Sequence, residues 1–493
     1  MSEDPIRKLE DKARKISNLF EIHEVLHWDQ EVMMPEKGIE ARKQQLSTIS
    51  GLKHRIIVSD ELSDLLELTN ADELEKEERA TYREIKREHE RAKKVDQELI
   101  EKISSKSSET LESWKKAREQ EDFDVVKEDL KELVELKREY AEQINPDEEP
   151  YKVLFRDYEP YLQFELMEEN LERLKDRLTN LLEKIRDSNV SPENIFEKSV
   201  PEEKQVDLNR EIVDKLGYDW ERGRLDTSEH PFTAGNQFDV RITTRFDEND
   251  VSKSLMPTIH EFGHALYQMN LPEENYGLPT GQSREIGFHE SQSTIWENHI
   301  ARSRYFAKYL TENYDVFDRE DQEELYRYVN RIKPDNPIRV EADELTYHLH
   351  IFLRLKLERQ LINGDLEVGE LQEKWRDIME NFMGIRPENP NKGVLQDIHW
   401  YQGSFGYFPT YSEGIIISAQ IYNSMENDID NIGEKISEGR FSEIREWLKE
   451  NIHRKAKIRP TDNLIEEATG EELNVDHFLD YIEEKYEPLY GIE

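Results

Sequence analysis

The chain has 493 residues, 68 of them basic, 110 acidic and none cysteine, for a formal charge of −42. That balance argues against nucleic acid as a partner, because phosphate binding needs clustered Lys and Arg, and it excludes disulfides and thiolate metal ligands, in keeping with a reducing interior. The acidic groups are spread over a chain that keeps its hydrophobic periodicity, so they describe a folded protein with an acidic surface, either adapted to high salt or an ordinary acidic cytosolic protein.

The start, Met1-Ser2-Glu3-Asp4-Pro5, shows no basic region followed by an apolar one, so no secretory leader is expected. The longest aliphatic run, Ile415-Ile416-Ile417, is too short to cross a bilayer, so no membrane partner is expected and the expected location is cytoplasmic. Most of the chain reads as amphipathic helix. Tyr82, Ile85, His89, Ala92, Val95, Leu99 and Ile103 recur every three or four residues, as do Phe123, Val126, Leu130, Leu133 and Tyr140, and then Leu162 through Leu182. Their spacing drifts from a strict heptad, so they read as core stripes and not as a coiled coil, with His89 facing the core. No linker divides the chain, which reads as a single domain, 1–493, with a helical region over about 1–200 and a metal- and substrate-binding region over 201–493.

One segment departs from the helical period. From Phe238 to Phe246 the residues alternate, with Phe238, Val240, Ile242, Thr244 and Phe246 on one side and Asp239, Arg241, Thr243 and Arg245 on the other. Period two marks a half-buried strand. Such a strand either accepts an extended peptide at a sheet edge or pins the helix that follows the Asp247–Asp250 turn.

That helix carries His260-Glu261-Phe262-Gly263-His264, an H-E-x-x-H pentapeptide. Residues four apart share a helix face, so both imidazoles reach one metal ion, and Glu261 lies beside it, placed to take a proton from water. Catalytic zinc usually takes three protein ligands and brings the pKa of water to about 7. Pro272, Gly277, Pro279 and Gly281 break the chain after His264, and a second helix is predicted from near His289 towards Leu310, with Ile295, Trp296 and His299 on its buried side. An antiparallel return of that helix makes Glu290 the third ligand. His289 is the alternative ligand, and an ordinary first-turn glutamate is the alternative reading of Glu290.

Around these stand Trp28-Asp29-Gln30-Glu31, His230-Pro231-Phe232, Asp239-Val240-Arg241-Ile242-Thr243, His289-Glu290-Ser291-Gln292, Ile338-Arg339 with Ala342-Asp343, and Gly393 with Gln396-Asp397-Ile398-His399-Trp400. Ala468-Thr469-Gly470 and Tyr486-Glu487-Pro488-Leu489-Tyr490-Gly491 close the chain. In this order the pieces resemble the carboxypeptidase Taq family of zinc metallocarboxypeptidases almost end to end. The period of three to four, broken by one strong alternation, predicts a mainly α fold. The expected architecture has two helical lobes flanking a deep active-site cleft, with a small β-sheet beside the H-E-x-x-H helix, which the resemblance implies to be neurolysin- and angiotensin-converting-enzyme-like. The resemblance implies zinc or cobalt as the metal, peptide substrates, broad specificity and a homodimer.

By the family's I-R-x-x-A-D motif, Arg339 is the leading clamp for a terminal carboxylate, to which a planar guanidinium donates two parallel hydrogen bonds. Arg241, held by Asp239, is the second candidate, and a structural ion pair of Arg339 with Asp343 or Glu341 is the alternative. His230 looks like another family signature, with a place in the site wall and not on the metal. Peptide hydrolysis also needs donors towards a developing oxyanion; these are His399, through an imidazolium N–H, and Tyr407 or Tyr411, between which the sequence does not choose. The expected reaction is release of single residues from peptide C-termini. An oligopeptidase or dipeptidyl-carboxypeptidase on the same fold and a non-catalytic helical scaffold are the alternatives, and the intact Glu261 argues against the last.

Overall fold

The computed structural model describes residues 4–188, 190, 195–196, 199–317 and 322–492; Met1-Ser2-Glu3, read above for a leader, lie outside them. The architecture is mainly helical with one three-stranded sheet, as the periodicity predicts. The first helix, Pro5–Val32, starts with proline at its first position and Asp4 accepting from the Ile6 N–H. The stripe from Tyr82 to Ile103 is divided between two helices, Lys76–Lys93 and Gln97–Gln120, because the chain turns extended at Asp96. His89 faces the core, its ring between the Ser63 hydroxyl at 3.0 Å and the Ile57 carbonyl at 2.6 Å. One apolar core runs from Val95 to Tyr490, and a smaller one gathers Ile6, Leu9, Leu62, Leu65 and Ile85 of the N-terminal helices around Leu278.

The sheet orders its strands β1 (Gly223–Thr227), β3 (Val240–Thr244) and β2 (Thr233–Gly235). β1 lies parallel to β3 with Arg224 opposite Arg241, and β2 antiparallel with Ala234 opposite Arg241. Two expectations change. The strand spans five residues and not nine, and Phe238 is 47% exposed because the chain turns before Val240. It is also the central strand, with both edges already paired, so an incoming peptide has no edge to join on β3. Its role in the fold is to pin. Thr243, fully buried, hydrogen-bonds the Phe232 backbone and the Ser228 hydroxyl, which fixes the segment leading into β2.

The H-E-x-x-H helix spans Ser252–Asn270. After two short 3₁₀ turns the second helix begins at Ile286, three residues before the expected start. It does not run unbroken to Leu310. It widens into a π-helical turn over Ile295–Ala301, stops at Arg302, and restarts as Arg304–Asn313 with the Ser303 hydroxyl capping the Phe306 N–H. Ile295, Trp296 and His299 are buried as expected. Two glycines let backbones touch around this helix. A Cβ on Gly263 would lie 2.6 Å from the Gln292 carbonyl oxygen, and one on Gly414, in the helix Pro409–Asp428, would lie 2.7 Å from Glu290 Cβ. The segment bearing Glu290 is therefore clasped between two helices at distances only glycine permits.

Candidate metal centre

The four-residue spacing on the Ser252–Asn270 helix sets the rings of His260 and His264 5.0 Å apart. Glu290 faces both, with Oε1 3.7 Å from His260 Nε2 and Oε2 3.3 Å from His264 Nε2. One ligand atom from each lies within 4.8 Å of the others, and no other such group of His, Cys, Asp and Glu occurs among the described residues. A tetrahedral metal with bonds of about 2.0–2.1 Å has ligand–ligand edges of roughly 3.3 Å, so the residues present fit a divalent cation. The orientation of His260 is built in. Its Nδ1 lies 2.8 Å from Glu297, which is held by Arg302 at 2.7 Å. Burial works against the charge on Glu297, but Arg302 and His260 outweigh it and lower its pKa to about 2. His289 stays out of the cluster: it stacks on His264 at 4.6 Å, and its Nε2 accepts from the Gln268 amide at 3.1 Å.

Glu261 is buried beside this cluster, and the Thr233 hydroxyl on β2 lies 2.6 Å from its Oε2. The path from sequence to this contact runs through the sheet: Thr243 fixes Phe232, and Thr233 follows it. On the other side, the buried Glu159 accepts the Gly287 N–H at 2.7 Å and anchors the first turn of the helix that bears Glu290.

A second constellation forms around Arg339. Its Nε donates to Asp397 at 2.8 Å and its Nη1 to the Tyr347 hydroxyl at 3.0 Å, while the guanidinium lies 5.2 Å from the Tyr411 ring centre and 5.4 Å from that of Phe408. Arg354 donates to the other oxygen of Asp397 at 2.6 Å. Burial opposes the charge on Asp397, and the two arginines hold its pKa well below the usual carboxylate range. Asp343 is not the partner of Arg339; it accepts backbone N–H groups from Lys333, Leu345 and Thr346. The Tyr407 and Tyr411 rings lie 5.3 Å apart, and the Tyr411 hydroxyl is 3.4 Å from His399 Nε2. Burial, aided by the nearby arginines, lowers His399 to about 4, so its ring is neutral near pH 7 and not the expected imidazolium. Burial and the charge of Glu290 raise the phenols of Tyr347, Tyr407 and Tyr411, which keeps them protonated donors on the side that feels Glu290.

The carboxypeptidase Taq (M32) metallopeptidase family matches residues 8–486 of the chain. The chain belongs to this family. It is 37% identical to the thermostable carboxypeptidase 1 of Pyrococcus furiosus over 492 residues, 98% of each chain, and 33% identical to carboxypeptidase 1 of Bacillus subtilis over 97% of each. The crystal structure of the M32 carboxypeptidase from Deinococcus radiodurans superposes with a TM-score of 0.95 at 30% identity, covering 99% of this chain and 100% of the other. The protein is thus a metallocarboxypeptidase, a hydrolase of peptide bonds.

In this M32 enzyme the remaining residues singled out from sequence lie apart from these two groups of contacts. Arg241 is gripped by both oxygens of Asp239, at 2.9 and 2.7 Å, and its guanidinium covers Trp28 at 4.2 Å beside that of Arg224. His230 is exposed in the loop between β1 and β2. Sequence reasoning missed Glu297, Thr233, Tyr347 and Arg354. Glu297 stands two helical turns after Glu290, and Thr233 directly follows His230-Pro231-Phe232, so both carried a positional signal. Tyr347 and Arg354 carried none, being set in the largely buried helix Thr346–Asn363. No helix among the described residues is long and apolar enough to cross a membrane.

Proposed function

We propose that the metal is zinc, held by His260, His264 and Glu290, and that the enzyme removes single residues from the C-termini of peptides. What carries this reading is the presence of two matched groups. One is a three-ligand cluster; the other is a guanidinium, Arg339, set among phenols that feel the charge of Glu290. A divalent metal bound there supplies Lewis acidity towards water and a peptide carbonyl. Glu261 receives the proton that water gives up, with Thr233 orienting its carboxylate. Tyr407, Tyr411 and the neutral His399 offer O–H and N–H donors to the oxyanion and then to the departing amine. Asp397 fixes Nε of Arg339, leaving the outer edge of the guanidinium for the terminal carboxylate of the substrate.

A synthetic peptide incubated with the protein and followed by mass spectrometry tests the reading. The expected result is a ladder of products each one residue shorter, abolished by a chelator and restored by zinc. Losses of two residues at a time would move the assignment to a dipeptidyl-carboxypeptidase, and internal cuts to an oligopeptidase. A homodimer is part of the same proposal, and sedimentation equilibrium checks it.

A further inference from the structure

The helix Lys76–Lys93 carries Arg79, Arg83, Lys86, Arg87 and Arg91, with Lys94 just beyond its end. The spacing of three to four places them along one face, while Ala80, Thr81, Glu84, Ile85 and His89 form the buried side. Like charges one turn apart weaken a helix, so this arrangement is not what helix stability selects. The face opens onto a cavity of about 500 Å³ whose far wall brings Ile144, Arg156 and Pro160 against it, with Tyr82 on the helix side. Seven of the eight charged residues lining the cavity are basic, in a chain where acidic residues outnumber basic ones 110 to 68.

The ion pairs leave part of this charge uncompensated. Arg83 meets Glu84 at 2.7 Å, Arg156 meets Glu148 at 2.6 Å, Arg91 meets Asp157, and Lys86 lies 3.8 Å from Glu90. Arg79, Arg87 and Lys94 instead donate to the backbone carbonyls of Leu74, Arg156 and Ile144, at 3.1, 3.0 and 3.0 Å. None of these three has a carboxylate within ion-pair distance among the described residues. A second cavity of about 360 Å³ shares Arg79 and Arg83 and adds Lys76 and Arg459, so the basic lining continues along the helix. A cavity of the first one's size lies in the usual range for a small-molecule site.

We infer that this cavity binds a small multivalent phosphate, an oligophosphate or a phosphate ester carrying at least three negative charges. Three cations without a carboxylate partner, lining one solvent-open cavity, call for a ligand of that charge. Planar guanidinium groups donate two hydrogen bonds at a time to phosphoryl oxygens, which present several acceptors in a compact array. Polymeric nucleic acid is a poorer match, because the remaining surface is strongly acidic and would repel the flanking strand.

The metal-loaded full-length enzyme, titrated with fluorescent mant-ATP at 0.1 M potassium chloride and read by anisotropy, tests the site. Unlabelled tripolyphosphate serves as competitor. One saturable site is expected, with displacement by tripolyphosphate; equal affinities for ATP and tripolyphosphate place recognition in the phosphates alone, and a tighter ATP adds the base, both supporting the site. Arg87→Ala/Lys94→Ala should weaken binding at least tenfold. Because those side chains also hold backbone carbonyls of other elements, the exposed Arg79→Glu, whose carbonyl contact is with Leu74 just before the start of its own helix, is a second arm, expected to weaken binding several-fold without disturbing the fold. Peptide turnover should match the parent in both, since the cavity is distinct from the metal centre, and metal chelation by the phosphates is common to all three proteins. Absence of saturable binding up to millimolar ligand overturns the inference. So does unchanged affinity in both variants, which would put the anion at Arg339 or the metal. A variant that shifts the oligomeric state and keeps its anion affinity overturns it as well, assigning the cations to a protein interface.

Discussion

Glu297 lies 2.8 Å from Nδ1 of His260, and Arg302 holds it there from the other side at 2.7 Å. A carboxylate only accepts, so Nδ1 carries a proton, which leaves Nε2, on the side of Glu290, as the atom that would ligate a metal. Glu297→Gln should weaken metal binding about 10- to 100-fold, measured by competition against a chelator of known affinity. An unchanged affinity would mean that packing alone orients the imidazole.

Thr233 and Glu261 make a related prediction for turnover. Glu261→Gln should retain the metal and lose nearly all activity, because the amide takes no proton from water. Thr233→Val should also retain the metal and lower kcat by about tenfold, the equivalent of one lost hydrogen bond at ~1.4 kcal/mol. Full activity in Thr233→Val would remove the hydroxyl from the mechanism.

Arg339→Ala should reduce kcat/KM on peptides with a free C-terminus by about 30-fold to several thousand-fold, the range of ~2–5 kcal/mol for a lost buried charge partner. Amidated peptides should be poor substrates for the parent and little affected further. The melting temperature must be followed in parallel, since Asp397 would keep only Arg354. An unaltered preference for free over amidated peptides would send the search for the carboxylate clamp elsewhere.

Acid should destabilise the fold through its buried histidines. His299, His348 and His453 are each lowered to about 3 by burial, against about 6.5 in an unfolded chain. In the range between, the unfolded state binds more protons, so their contribution is complete above pH 6.5 and lost as pH falls towards 3. Glu358, raised by burial to about 7, acts with the opposite sign, its contribution fading as pH rises from 4.5 through 7. Calorimetry with a chelator present, so that metal release plays no part, should show the melting temperature falling from pH 6.5 to 4 with net proton uptake on unfolding. A flat profile would contradict this.

Salt should stabilise the enzyme. With a charge of −42, surface carboxylates repel over a Debye length of ~30 Å at 0.01 M salt and only ~3 Å at 1 M. Melting temperature and activity are expected to rise between 0.1 M and 2 M potassium chloride, while a chelator abolishes activity throughout. A flat or falling melting temperature would reject salt adaptation and leave the peptidase assignment untouched.

The sequence by itself determined what lies within one element. The period of 3.6 places His260 and His264 on one face, and the same period, read after the break at Pro272–Gly281, located the helix of Glu290 to within three residues of its start. Alternation found the strand at Val240–Thr244. Local pattern does not report which element lies beside which, and there the tertiary structure decided. Alternation shows a half-buried strand equally well at an edge or in the centre, and only the pairing with β1 and β2 made it central. Glu297 reaches His260 across 37 residues, from one helix to another, and Arg354 reaches Asp397 across 43, from a helix to a loop, through contacts that no periodicity encodes. Charge shows the same division. A count over the whole chain describes an acidic protein, while the basic cavity exists because folding brings Arg156 against one helix face, and Coulomb forces depend on distance in space and not on distance along the chain.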